Sequence, residues 1–69
     1  METLETFKKS VGFRDGNTND VFNVLKTTRS GNHIVWVAPM NPVNGAVTCY
    51  VIVINMSGYV IHKQEYIVM

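Results

Sequence analysis

From His33 to Met69 the chain is crowded with β-branched and aromatic residues, and their apolar character falls on both alternating faces. The densest point is Cys49-Tyr50-Val51-Ile52-Val53-Ile54. A strand with one wet face alternates apolar and polar side chains. This segment does not, so a sheet built from it needs cover on both sides. The pattern predicts three strands. The first, residues 33–38, either ends at Pro39, which has no N–H for a ladder, or lies at an edge. The second, residues 46–55, follows an Asn41–Gly45 loop in which Asn44-Gly45 is a type I′ hairpin signal. The third, residues 59–68, follows the turn Met56-Ser57-Gly58 and carries its polar residues, His62-Lys63-Gln64-Glu65, in the middle. Strands joined by short connections are antiparallel neighbours, which gives the order 1-2-3 with strand 2 central. The charged middle of the third strand fits a guarded sheet edge.

The amino-terminal part has helical spacing. Over residues 3–11, Leu4, Phe7 and Val11 form one apolar stripe. Thr3 is the expected cap, and Glu5 near the start and Lys8 and Lys9 near the end match the helix dipole. Gly12 is placed to close the helix in the left-handed conformation, with Phe13 folding back onto Phe7. Arg14-Asp15-Gly16-Asn17 reads as a turn. Over residues 18–29, Val21, Val24 and Leu25 give a second stripe at helical spacing, widened by Phe22. Asn17 or Thr18 would cap it, Asp20 would sit in its first turn, and Gly31 would stop it. Its β-branched residues lower the intrinsic propensity of this second helix. The expected architecture is therefore α+β, one domain over residues 1–69, with two short helices packed on a three-stranded antiparallel meander.

The two sheet faces can be drawn up from this pattern. With a two-residue Ser57-Gly58 loop, Met56 faces Tyr59 and Ile54 faces Ile61. Thr48, Tyr50, Ile52, Ile54, Lys63 and Glu65 then share one face, and Val51, Val53, Val60, His62, Gln64 and Tyr66 share the other. Which of Trp36 or the Val35/Val37 pair joins which face depends on how the loop after Pro39 is spent, since a one-residue slip exchanges them. Two short helices supply about seven large apolar side chains, enough for one face. Leaving four Val, Ile or Tyr groups of the second face in water forgoes roughly 6–12 kcal/mol, comparable with the whole stability of a small domain. A second copy of the chain or another protein is the expected cover.

Composition sharpens that expectation. A 69-residue chain buries only about 60% of its unfolded surface and usually adds a disulfide, a metal or a partner. Cys49 is the only cysteine, which excludes an internal disulfide. One Cys and two His, none at metal-ligand spacing, predict neither a structural zinc nor a cofactor. Charged residues are 16% of the chain, below the roughly 25% of ordinary globular proteins, as suits a surface that is partly interface. The first residues, Met1-Glu2-Thr3-Leu4-Glu5, are acidic where a secretory leader is basic, and the longest strictly apolar run is the six residues from Cys49. These features predict a cytoplasmic protein outside the membrane. A net charge of +1 argues against a strong sequence-independent grip on nucleic acid.

Candidate chemistry is sparse. Cys49 falls in the most apolar run and reads as a small core residue. His62 and Glu65 point to opposite faces of a strand and make no base–orienter pair. The five glycines are scattered singly, so no phosphate-cradling loop occurs. These absences predict a chain that is not an enzyme. The expected function is a small non-enzymatic protein-binding module, of the phage-type or accessory class that regulates or inhibits a target, docking by a sheet face or edge. Its expected anchors are Trp36, Tyr50, Tyr59 and Tyr66, because large amphipathic aromatics dominate interfaces. An alternative is nucleic-acid binding, with Lys8, Lys9, Arg14, Lys26 and Arg29 as a basic side and the same aromatics as stacking platforms. A remote alternative starts from Gly31-Asn32-His33 followed by a strand, Pro39, a loop and Gly45. From Gly31 to about Thr48 this order loosely resembles the small HicA-type messenger-RNA-cutting toxins. The resemblance implies a catalytic role for His33, with Asn32 where that family has Ser and without the family's closing helix and basic surface.

Overall fold

Among the described residues one short helix and four antiparallel strands build the fold, in place of the expected two helices and three strands. The computed structural model describes residues 2–16, 19–39 and 47–68. Helix α1 spans Leu4–Val11, and β1 (Val21–Thr27), β2 (His33–Ala38), β3 (Val47–Ile54) and β4 (Val60–Val68) form one sheet in the order β1-β2-β3-β4.

Helix α1 is bounded by side-chain chemistry at both ends. Thr3 stands in extended conformation before it, and its Oγ1 accepts from the Thr6 N–H at 3.2 Å, satisfying one of the free donors of the first turn. Gly12 closes the helix at φ 75°, and the Phe13 N–H donates to the Lys8 carbonyl at 2.9 Å. Phe13 folds back against the core cluster that contains Phe7. Its ring meets Phe22 of β1 edge-on at 6.1 Å, while Phe7 meets Tyr50 of β3 at 5.4 Å. The stripe Leu4, Phe7 and Val11 packs on the sheet, with Phe7 fully buried.

The segment expected as a second helix over residues 18–29 is the edge strand β1. Its β-branched and aromatic residues fit a pleated surface better than a helix. Paired with β2, it places Phe22 opposite Val37 and Val24 opposite Val35, while Asn23 faces Trp36 on the other side. Val21 and Val24 lie on opposite faces of this strand, and a bulge between Val24 and Lys26 inserts Leu25, so together the three mimic helical spacing. Asp20, expected in a first helical turn, instead accepts from the Arg14 N–H at 2.8 Å. Asn17 and Thr18, the expected caps, lie outside the described residues. Gly31 does not stop a helix. It takes φ 86° in a hairpin turn, where the Thr28 N–H donates to the Asn32 carbonyl at 2.8 Å and the Gly31 N–H to the Thr28 carbonyl at 3.0 Å.

Strand β2 ends before Pro39, and the expected Asn41–Gly45 hairpin loop lies outside the described residues. Between β3 and β4 the turn is one residue longer than expected. Asn55, not Met56, faces Tyr59: its N–H donates to the Tyr59 carbonyl at 2.9 Å. The Asn55 Oδ1 accepts from the N–H groups of Ser57 and Tyr59, each at 3.0 Å. Ile54 then pairs with Val60 instead of Ile61, and a second bulge, at Ile61, restores Val53↔His62, Ile52↔Lys63 and Tyr50↔Glu65. The two irregularities cancel along the strand, yet they exchange two side chains. Val60 joins Ile54 in the core, and Ile61 is exposed.

The core is Phe7, Val35, Val37, Ile52, Ile54 and Val60, between α1 and one face of the sheet. This places Tyr50, Ile52 and Ile54 under the helix and turns Val51 and Val53 the other way.

Candidate functional site

The opposite face of the sheet is the candidate site. Alternation places Trp36 and Ile34 on it, since Val35 and Val37 are under the helix. The ladder registers then assemble rows across the strands: Lys26, Ile34, Val53 and His62 in one, and Asn23, Trp36, Val51 and Gln64 in the next. Beyond these come the pairs Val21–Ala38 and Cys49–Tyr66. The two inner strands thus contribute an apolar centre, and the outer strands contribute a more polar margin. Among the described residues no helix or strand lies over this face. Ile34, Trp36, Val51 and Val53 are half-buried. Ala38, Pro39 and Cys49 at one end are buried, and the connection between β2 and β3 there, residues 40–46, lies outside the described residues.

The four expected anchors do not come together. Trp36 and Tyr66 are on the open face, with Tyr66 exposed. Tyr50 lies on the covered face, edge-on to Phe7 and opposite Glu65. Burial first, and then the charge of Glu65 and a hydrogen bond to it, raise its phenol above the usual 10.0. Tyr59 stands at the end of the β3–β4 turn, bridged to Thr3. Ile34, Val51 and Val53 complete the open face in their place. Val51 and Val53 were visible in the sequence as one of the two sheet faces, Ile34 was not singled out, and the packing of α1 chose between the faces.

The remaining candidate chemistry is dispersed. Cys49 is a buried thiol in β3. His33 opens β2, exposed, with its Nδ1 2.9 Å from the Thr27 Oγ1. His62 pairs with Val53 on the open face, and Glu65 with Tyr50 on the covered one. Lys8 is held 3.1 Å from Asp15, and its ammonium lies 5.0 Å from the centroid of the Phe22 ring. Tyr50, offered as a base-stacking platform, has Phe7 on it. Among the described residues no group of three acidic, His or Cys side chains is arranged to hold a metal. No described helix is long and apolar enough to cross a membrane. Comparison with protein-family models, with curated proteins and with solved structures found no match.

Proposed function

We propose that this chain is a non-enzymatic protein-binding module that docks a target on the open face of its sheet. The observation that carries the reading is the apolar centre formed by Ile34, Trp36, Val51 and Val53 with no described helix or strand over it. Apolar side chains ringed by more polar ones are the common anatomy of an interface. Taking four half-buried side chains to full burial contributes about 1 kcal/mol each, several kcal/mol in all, which is large beside the stability of a small domain. Trp36 is the central anchor: it is the largest side chain there, and its indole N–H gives a partner a directional contact. In this reading the chain regulates its target by occupying a surface, with no covalent chemistry.

The test uses two variants that differ only in which face they alter. Val51→Lys puts a charge at the centre of the open face, and Val24→Lys puts one on the exposed part of the edge strand β1. Target proteins retained by the immobilised wild-type chain are expected to be lost with Val51→Lys and kept with Val24→Lys, with both variants folded by circular dichroism. Retention that survives Val51→Lys would remove the open face from the function.

A further inference from the structure

The outer strand β4 carries a segment that is its own complement. From Ile61 to Ile67 it reads Ile-His-Lys-Gln-Glu-Tyr-Ile, symmetric in kind about Gln64. When two copies of this strand run antiparallel with Gln64 opposite Gln64, Lys63 of each faces Glu65 of the other. His62 then faces Tyr66, while Ile61, at the bulge, falls outside the regular ladder. Opposite charges directly across an antiparallel ladder stabilise it. The neighbouring registers that keep the sheet faces aligned do the reverse. Centring on residue 63 sets Lys63 against Lys63, and centring on residue 65 sets Glu65 against Glu65.

The edge is available for such pairing. β4 is the last strand of the sheet and pairs with β3 on one side. Among the described residues its other side is taken at the start, where the Val60 N–H donates to the Glu2 carbonyl at 2.8 Å and the Leu4 N–H donates to the Gly58 carbonyl at 3.0 Å, and the Lys63 ammonium lies 3.4 Å from the Glu2 carboxylate, a contact it shares or exchanges when it meets Glu65 of a second copy. All seven residues from Ile61 to Ile67 are exposed, among them Ile61, Tyr66 and Ile67. An edge strand with exposed apolar side chains is a template for a further strand. A lone lysine in its middle would guard it against any neighbour. Lys63 with Glu65 two residues on guards it against most registers and rewards one.

We propose that the chain forms a two-fold symmetric dimer by antiparallel pairing of β4 with β4 of a second copy, centred on Gln64. The ladder runs over His62–Tyr66 and stops at the bulge of Ile61, beyond which Glu2 already occupies Val60. Lys63 and Glu65 lie on the helix-bearing face, and His62, Gln64 and Tyr66 lie on the open one. The dimer is therefore one eight-stranded sheet with both helices on one side and a single open face of twice the width. This contact uses the sheet edge and does not rest on what docks on the open face. An edge-to-edge ladder is smaller than a standard interface of about 1,600 Å², so association is expected in the range of about 1–100 µM.

Sedimentation of the full chain across that concentration range tests the proposal. The wild-type chain is expected to pass from monomer to dimer. Lys63→Glu alone, or Glu65→Lys alone, creates two like-charge pairs at once by symmetry, and the dissociation constant is expected to rise about thirtyfold. The double variant Lys63→Glu/Glu65→Lys, made with Glu2→Gln so that the new carboxylate at position 63 meets no like charge there, restores both pairs and is expected to return to within about threefold of the wild type. Gln64→Lys, at an exposed position on the other face, sets two ammonium groups across the two-fold axis and is expected to dissociate the dimer even if the Lys63 or Glu65 variants fold poorly. A chain that stays monomeric throughout, a dimer indifferent to Gln64→Lys and the single charge reversals, or a double variant as weak as the singles overturns the proposal. A dimer broken by Val51→Lys but not by the charge reversals is a face-to-face dimer. That outcome overturns edge pairing and leaves the open-face reading standing.

Discussion

Gly31 shows how much one residue decides at the β1–β2 hairpin. It sits at φ 86°, and a Cβ added there would lie 2.6 Å from the Met56 Cγ. Gly31→Ala is expected to cost about 1–3 kcal/mol, read as a lower denaturant midpoint at constant slope. Adding Met56→Ala removes the steric part and recovers only a share, because the backbone conformation still disfavours a side chain. Tyr50 gives a pH signature. Burial, and then Glu65, raise its phenol above the usual 10.0, so the folded chain holds this proton more tightly than the unfolded one. Its contribution to stability is fully present below about pH 10 and is lost as pH rises through the raised range of the phenol. Thermal melts of Tyr50→Phe are expected to fall less steeply above about pH 10 than those of the wild type. An equal fall in both would remove Tyr50 as the cause.

At the scale of elements, α1 is a short helix that its caps define and the sheet stabilises. Eight residues are too few for a helix to persist alone in water. Phe7→Ala empties the middle of the contact between α1 and β3 and is expected to cost about 3–5 kcal/mol, most of the stability of a chain this size. Thr3→Ala removes only the cap and is expected to cost about 1 kcal/mol. Both are measured by equilibrium unfolding, and a Thr3→Ala loss as large as that of Phe7→Ala would contradict this ranking. The caps were legible because Thr3, Gly12 and Phe13 act within a few residues of the helix ends. β1 was not legible, because Val21, Val24 and Leu25 match helical spacing and the bulge at Leu25 hides the strand period. The β3–β4 connection was half legible. The register from Val53 onward follows from the pattern, but the Asn55 side chain lengthens the turn and the Ile61 bulge compensates, which no alternation in the sequence marks.

For the whole molecule the asymmetry between faces is the dominant fact. Ile52 is fully buried under α1, whereas Val53, its neighbour in sequence, lies on the open face. Ile52→Ala is expected to cost about 2–5 kcal/mol. Val53→Thr keeps the shape and the β-propensity at a half-buried position, and is expected to change stability by no more than about 1 kcal/mol while lowering the binding of an apolar dye. Calorimetry and dye fluorescence on the two variants separate a face that holds the fold from a face that is free to bind. Equal losses of stability would mean that the open face is also covered within the chain.

The sequence by itself determined what local chemistry dictates: the caps of α1, the strand from His33 that breaks at Pro39, and the alternation that puts Tyr50, Ile52, Lys63 and Glu65 on one face. Each rests on a preference or a periodicity confined to a few residues. Tertiary structure decided what no short window contains. Residues 21–27 become a strand because β2 offers an edge whose backbone groups need partners, and a helix there would leave that edge bare. One helix, not two, then remains to cover a sheet of four strands. It covers the Tyr50/Ile52/Ile54 row and leaves Val51 and Val53 on the other side, because a single eight-residue helix among the described residues has one apolar stripe and packs on one face.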